Sequence, residues 1–222
     1  MMGSKTIGNL LILFAILGLI ATFGPSAYYE AKFKIEKIRG VKYSIPEETT
    51  TTPLGEILKK YQSQKKADSL SLIKILIPKD TEFSILILKI GLNAKVFPNI
   101  NSSNPNEFLP ILEKGIAHAK GTVFPGMEGS IYLFAHSTDN FWNVGRYNAF
   151  FYLLKELSVG DEIIIFFQNR RYSYVMSESR IIDPSDVSYL TKTQEGQEVL
   201  ILQTCWPPGT TWKRLLVFAK RK

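Results

Sequence analysis

The sequence predicts a mainly β domain, a barrel or sandwich closed on itself to hide its edges. Short runs rich in β-branched and other apolar residues recur from Leu72 onward, and turn-forming residues separate them. Helical spacing returns only briefly between the runs. That many strands with so few helices to cover them leave edges that must be closed.

Each element can be justified in chain order. Residues 7–23, IGNLLILFAILGLIATF, carry no charge, follow Lys5 and end at Gly24-Pro25, which makes an apolar span near the lower length limit for crossing a bilayer. The positive charge at its start places the N-terminus inside and everything after Tyr28 outside. A cleaved signal peptide is the competing reading, because Ser26 and Ala27 are small. A retained anchor is favoured, since the run is longer than the apolar core of a usual signal peptide. Either reading exports the remainder, so the expected organisation is 1–27 as cytoplasmic start and anchor, 28–69 as an extracellular stalk with a short helix, and 70–222 as the main domain.

Within the stalk, Tyr29-Glu30-Ala31-Lys32 alternates in charge and residues 46–53 are rich in Pro and Thr, a composition that buries little apolar area. Leu54, Ile57, Leu58 and Tyr61 then recur at helical spacing after Thr52-Pro53. Strands are expected at residues 72–77 and 84–90, parted by Pro78-Lys79-Asp80, and again at 131–135, 162–167 and 199–202. Asn169-Arg170 lies between a strand ending at Gln168 and another over 172–182, the pattern of a hairpin. Ala149, Phe150, Leu153, Leu154 and Leu157 are helically spaced, as are residues 185–190 after Asp183-Pro184.

Composition narrows the function. The 222 residues are 45% hydrophobic and 12% aromatic, which excludes a disordered chain and fits one globular domain with one active site. The net charge is +7, and Lys5 is the only charged residue before Glu30, so the basic excess belongs to the exported part. No basic run interleaved with aromatics appears except the tail Lys220-Arg221-Lys222, so the surplus reads as solvated surface and nucleic acid is set aside as a partner. With a single cysteine there is no intrachain disulfide. A lone Cys is by default a small buried hydrophobe, and only its neighbours can argue otherwise.

The neighbours do argue otherwise. Cys205 ends the apolar run Val199-Leu200-Ile201-Leu202-Gln203-Thr204 and is followed by Trp206-Pro207-Pro208-Gly209, the kind of strand end at which a β scaffold presents a reactive group. His136 ends Ile131-Tyr132-Leu133-Phe134-Ala135 in the same way. Arg214 opens Leu215-Leu216-Val217-Phe218 just after the Cys loop, and an antiparallel return through that loop would bring the cation back to the thiol. A thiolate that attacks an amide, an imidazolium that protonates the leaving amine and a cation that stabilises the oxyanion make a coherent acyl-transfer set. Taken singly, a strand-end His, an edge Arg and a core Cys are each ordinary.

Leu202-Gln203-Thr204-Cys205 resembles the Thr-Leu-X-Thr-Cys signature of the sortase family. Phe134-Ala135-His136 is similar to that family's apolar-Gly-His segment, and Arg214-Leu215-Leu216-Val217 to its Arg-Leu-apolar-Val strand. Residues 89–96 resemble the early strand pair, and 115–126 the loop before the His strand, so the resemblance covers about 70–219. It departs at Ala135, where Gly is usual and space beside the His would narrow, and at Gln203, which falls on the variable site. Papain-like peptidases are excluded by order, because His118 and His136 both precede the cysteine. His118 is expected to pack or hydrogen-bond rather than catalyse.

The resemblance implies a closed barrel of about eight strands with His136, Cys205 and Arg214 catalytic and with Thr204, Ala135 and Trp206 at the substrate. It further implies cleavage of a Leu-Pro-X-Thr-Gly-like sorting motif in secreted proteins and transfer through a thioester to an amine of the cell envelope or a pilin lysine. No metal or cofactor is expected; Glu195 and Glu198 do not complete a calcium set, two carboxylates being too few. The chain ends at Lys222 without an apolar run and has no Asp-Pro before Asp183, which favours general anchoring over pilin polymerisation and leaves the subclass open. Hydrolysis in place of amine transfer also stays open. The reading from another class is a non-catalytic, membrane-tethered β domain that binds envelope peptides or polymers and needs no thiol.

Overall fold

In the computed structural model, residues 4–45, 72–137, 149–191 and 196–222 are described. The expected Pro- and Thr-rich linker, the helix at 54–61 and Glu195 lie outside them. The chain opens with helix α1 (Ser4–Ile38), followed by β1 (Lys42–Ser44) and β2 (Ile73–Ile75), which pair in parallel as a separate two-stranded sheet.

Eight strands then close a barrel: β3 (Phe83–Ile87), β4 (Leu92–Ile100), β5 (Ile116–Ala119), β6 (Gly129–Phe134), β7 (Glu162–Phe167), β8 (Arg170–Ile182), β9 (Glu198–Trp206) and β10 (Lys213–Arg221). Around the barrel the order is β10-β8-β7-β3-β4-β5-β6-β9, so no long edge is left open. Two short helices accompany it, α2 (Pro105–Leu112) between β4 and β5 and α3 (Ser188–Thr191) before β9.

The alternation of side chains along each strand builds two cores. Ile131, Leu133 and Ala135 of the β6 segment, Leu200 and Leu202 of β9, and Leu215, Val217 and Ala219 of β10 fill the barrel interior. Tyr132 and Phe134, Val199 and Ile201, and Leu216 and Phe218 face outward into a second cluster. Phe108 of α2 covers Phe134 edge-on at 6.0 Å, and Tyr189 of α3 covers Phe218 at 5.5 Å. Sandwich, the alternative to a barrel, is thereby ruled out by the closed ring of strand pairs.

Several expected elements shift. Residues 72–77 supply only the short β2 outside the barrel, and 84–90 divides into β3 and a 3-10 turn at Leu88–Ile90 that ends on Gly91 at φ +63°. Residues 115–126 are not simply a loop: Ile116–Ala119 is β5, parallel to β4 and antiparallel to β6. The helix expected at 149–157 is a 3-10 turn at Tyr152–Glu156. The hairpin turns through Gln168 and Asn169, both with positive φ, and Arg170 already pairs with Phe167.

The largest departure is in the stalk. Residues 28–38 do not begin a linker but continue α1 and pack on the barrel, with Phe33 against the interior cluster. Glu30 and Lys34 face each other one turn apart at 3.5 Å, so the alternating charge serves a helix surface. Among the described residues no helix is long and apolar enough to cross a membrane. Leu10, Leu11, Ile12, Leu13 and Phe14 are nevertheless all exposed, which puts apolar side chains on every side of that stretch of α1.

Candidate active site

Cys205 sits one residue before the end of β9 because Pro207 and Pro208 cannot donate to a ladder and Gly209 turns the chain at φ +85°. Thr210 closes the turn, its N–H and its hydroxyl both donating to the Pro207 carbonyl at 3.0 and 2.8 Å. The chain returns as β10 with Arg214 directly opposite Cys205 in the antiparallel register. Directly opposed residues share a face with Cβ atoms about 5 Å apart. The return inferred from the sequence is the one the structure makes.

His136 arrives from the other side. β6 runs parallel to β9 with Phe134 beside Gln203, and the ladder goes on past the strand end, the Ala135 N–H donating to the Gln203 carbonyl at 3.2 Å. β6 ends at Phe134, and His136 follows two residues later, just past the last register pair with β9. The His136 carbonyl accepts from the Phe151 N–H at 3.1 Å. Cys205 and Arg214 thus face each other across β9 and β10, and His136 follows the end of the adjoining β6; all three are half-buried.

The guanidinium of Arg214 donates through Nη1 to the carbonyls of Thr211 and Lys213, both at 3.1 Å. Its positive charge also reaches Tyr132: burial pushes the phenol well above its ordinary value, Arg214 pulls it down and Asp186 adds to the rise.

Thr204, Ala135 and Trp206 have inner-facing side chains. Thr204 is 2% exposed and its hydroxyl donates to the Ala135 carbonyl at 3.0 Å, tying β9 to the β6 segment from inside. The methyl of Ala135 lies in the interior cluster, and Trp206 packs against that cluster. The methyl therefore does not narrow the outer face.

Gln203 is more than a variable position. Its side-chain oxygen accepts from the Tyr132 hydroxyl at 2.6 Å, so the pair forms the floor of the outer face next to Cys205. Period-two register was the available signal, since 203 and 205 must share a face. His118 is fully buried, with Nδ1 accepting from the Asn99 N–H at 3.3 Å and Nε2 donating to the Val123 carbonyl at 3.0 Å. Its ring stacks on Phe124 at 4.6 Å, inside the barrel rather than with His136.

Glu198, at the far end of β9 from Cys205, accepts from the Gly126 N–H at 2.9 Å and from the Tyr174 hydroxyl, and lies 3.8 Å from Arg221. Among the described residues no group of three or more acidic, His or Cys side chains could hold a metal ion. A cavity of about 190 Å³ opens between α1 and the barrel, lined by Tyr29, Gly91, Phe150 and Tyr152 among others, and none of His136, Cys205 and Arg214 borders it.

The family model for the sortase domain matches residues 85–222. The chain belongs to the sortase family. Sortase D of Bacillus subtilis (strain 168) is 32% identical to this sortase over 113 residues, which is 50% of the chain and 52% of the relative. The chain thus spans about half the length of the curated relative it matches. Among solved structures, a Clostridium perfringens sortase D5 transpeptidase superimposes with a TM-score of 0.52 at 23% identity, covering 76% of this chain and 93% of that one. Clostridium perfringens sortase C, solved with the C-terminal cell wall sorting motif, gives 0.53 at 21% identity over 77% and 88%. At those identities the superpositions speak for the barrel fold.

Proposed function

We propose that this sortase is a cysteine transpeptidase that cleaves a Leu-Pro-X-Thr-Gly-like sorting motif in secreted proteins and transfers it to an amine of the cell envelope or a pilin. The observation that carries the reading is that Arg214 is the cross-strand partner of Cys205, with His136 just past the end of β6, the strand on the other side of β9. The Cys205 thiolate attacks the carbonyl carbon of the scissile peptide bond, and the Arg214 guanidinium stabilises the oxyanion. As the C–N bond breaks, the His136 imidazolium gives its proton to the leaving amine, and an acyl thioester remains on Cys205. An incoming amine then loses a proton to His136 as it forms the new amide, and the C–S bond breaks to restore the thiolate.

In this mechanism Thr204 and Ala135 position strands from the inner face, while Tyr132 and Gln203 floor the groove beside the nucleophile. Residues 7–23 hold the enzyme in the membrane with its N-terminus inside and the barrel outside; the exposed apolar stretch of α1 supports that anchor. Such a protein stays with membranes through a high-salt wash, because burial of apolar surface is insensitive to screening.

The test uses the full chain in detergent with a peptide carrying the motif and an amine acceptor, products being read by mass spectrometry. The parent is expected to form the amide product, and Cys205→Ala to form none while keeping its thermal transition. Equal product from both would overturn the cysteine mechanism, and motif hydrolysis with no amide at saturating amine would overturn transfer.

A further inference from the structure

The C-terminal third of α1 reaches the segment that is hydrogen-bonded to His136. Glu30 accepts from Lys155 Nζ at 2.8 Å and from the Tyr152 hydroxyl at 3.3 Å, and the Lys155 ammonium lies 4.7 Å from the centre of the Tyr152 ring. Both partners belong to the 3-10 turn Tyr152–Glu156. The residue just before that turn, Phe151, is fully buried in the interior cluster and donates its N–H to the His136 carbonyl. Three links therefore join α1 to the backbone of His136: an ion pair, a buried ring and a main-chain hydrogen bond.

The polar link matters because the seam beside it leaves a cavity. Tyr29 of α1 and Phe150 and Tyr152 of the brace all line the cavity of about 190 Å³ between the two elements. Where side chains leave a gap, dispersion contacts hold the elements weakly, and a directed clamp has more influence over their spacing. The clamp is also sheltered, Lys155 and Glu30 side chains being 23% and 24% exposed, so it is screened less than an open surface pair. Hydrogen bonding from Lys155 holds the Glu30 carboxyl below its ordinary range, so the pair is charged at neutral pH.

We infer that Glu30 is a positioning residue for the reaction: by clamping Lys155 and Tyr152 it sets the brace through which Phe151 holds His136 beside Cys205. The inference rests on the acyl-transfer reading above and adds to it a role for the helix that follows the anchor. Docking of α1 and competence of the imidazole are then one event, and a barrel whose α1 is displaced keeps its thiol but loses both the imidazole that favours the thiolate and the aim of its acid. A shift of about 1 Å in a proton donor can cost up to a hundredfold in rate, and one clamp among several contacts is expected to shift it less.

The experiment takes the full chain in detergent and compares the parent with Glu30→Gln, Glu30→Lys, Lys155→Glu and the Glu30→Lys/Lys155→Glu exchange. Steady-state kinetics on the motif peptide and the rate of Cys205 alkylation by iodoacetamide are both measured. Glu30→Lys is expected to lower kcat on the order of tenfold with KM changed by less than about twofold, because the acid is misplaced and the groove is not. Alkylation should slow towards the rate of His136→Ala, and the exchange should restore both readouts to within about threefold of the parent.

Unchanged kcat and alkylation in Glu30→Lys, or equal losses in both single variants with no recovery on exchange, would overturn the positioning role. Glu30→Gln, which keeps size and removes only charge, guards against a helix that has simply come off. Should the parent alkylate in a His136-dependent way yet turn over no peptide, the substrate reading fails while the alkylation series still decides the role of Glu30.

Discussion

Alternate residues of β6, β9 and β10 make two faces with opposite tasks. On the inside, Leu133, Ala135, Leu202, Thr204 and Leu215 are nearly sealed from water, and the one polar group among them, the Thr204 hydroxyl, is committed to the Ala135 carbonyl. On the outside β9 and β10 present Cys205 and Arg214 opposite each other, and His136 follows the end of β6, all three half-buried. A one-residue slip of any strand would exchange the faces, so the packed side fixes the geometry of the face proposed as reactive. The comparison teaches that Thr204 and Cys205, neighbours in the signature, face opposite sides of one strand.

The sharpest way to break the contrast is on the outer face. Arg214→Lys keeps the charge but loses the fork of donors, and kcat is expected to fall on the order of a hundred- to a thousandfold with KM little changed. Folding should persist, because Arg214 is only half-buried. A kcat within a few-fold of the parent would reduce Arg214 to a source of positive potential.

The inner face predicts the reverse pattern. Thr204→Val leaves the Ala135 carbonyl buried without its partner, a cost of about 1–3 kcal/mol that calorimetry would register as a Tm lower by several degrees. Turnover should drop by less than about tenfold, KM should hold, and Cys205 should still alkylate, since the side chain that is lost faces away from substrate. A raised KM with unchanged Tm would return Thr204 to the substrate-contacting set.

The smallest effect concerns His118, whose imidazole is pushed by burial below its ordinary value near 6.5. A depressed folded value means that the unfolded chain binds the proton first as the solution is acidified. The stability held by neutral His118 is therefore complete above pH 6.5 and is lost as pH falls below it, with a slope of at most about 1.4 kcal/mol per pH unit. Denaturant melts of the parent and His118→Asn between pH 7.5 and about 5 should diverge in slope. Parallel curves would place the acid sensitivity elsewhere.

Much of the fold is legible in the sequence, and the physical reasons differ by element. The strands that announce themselves are buried on both faces: β7 runs over the residues expected of it because Ile163, Ile164 and Ile165 are all fully buried, which leaves an unbroken apolar run. β5 is hidden because Ile116-Ala117-His118-Ala119 is short, Ala-rich and interrupted by a His that the interior satisfies. α2 escapes notice although Asn104 caps it by accepting from the Asn106 N–H and Pro105 opens it, a start signal with only two turns to follow.

For the site, the order of His136, Cys205 and Arg214 on strand ends can be read directly, and the antiparallel return follows from the Pro-Pro-Gly loop. Which side of the sheet each neighbour faces cannot be read from the signature alone, which is why the resemblance groups Thr204, Ala135 and Trp206 with the groove. Counting by two from Leu200 and Leu202 places Thr204 and Trp206 inside and Gln203 outside. The docking of residues 28–38 is illegible for another reason: alternating charge looks solvated until Lys155, more than a hundred residues away, supplies the partner of Glu30.

The central claim is that the outer face forms a thioester on Cys205. Incubating the full chain with a motif peptide in the absence of amine, quenching in acid and measuring intact mass with fragment mapping tests it most directly. The account predicts an adduct equal to the acyl half of the peptide, located on Cys205, discharged by hydroxylamine and absent from Cys205→Ala. Cleaved peptide with no acyl mass on Cys205 at any quench time, or an adduct on another residue, would contradict it.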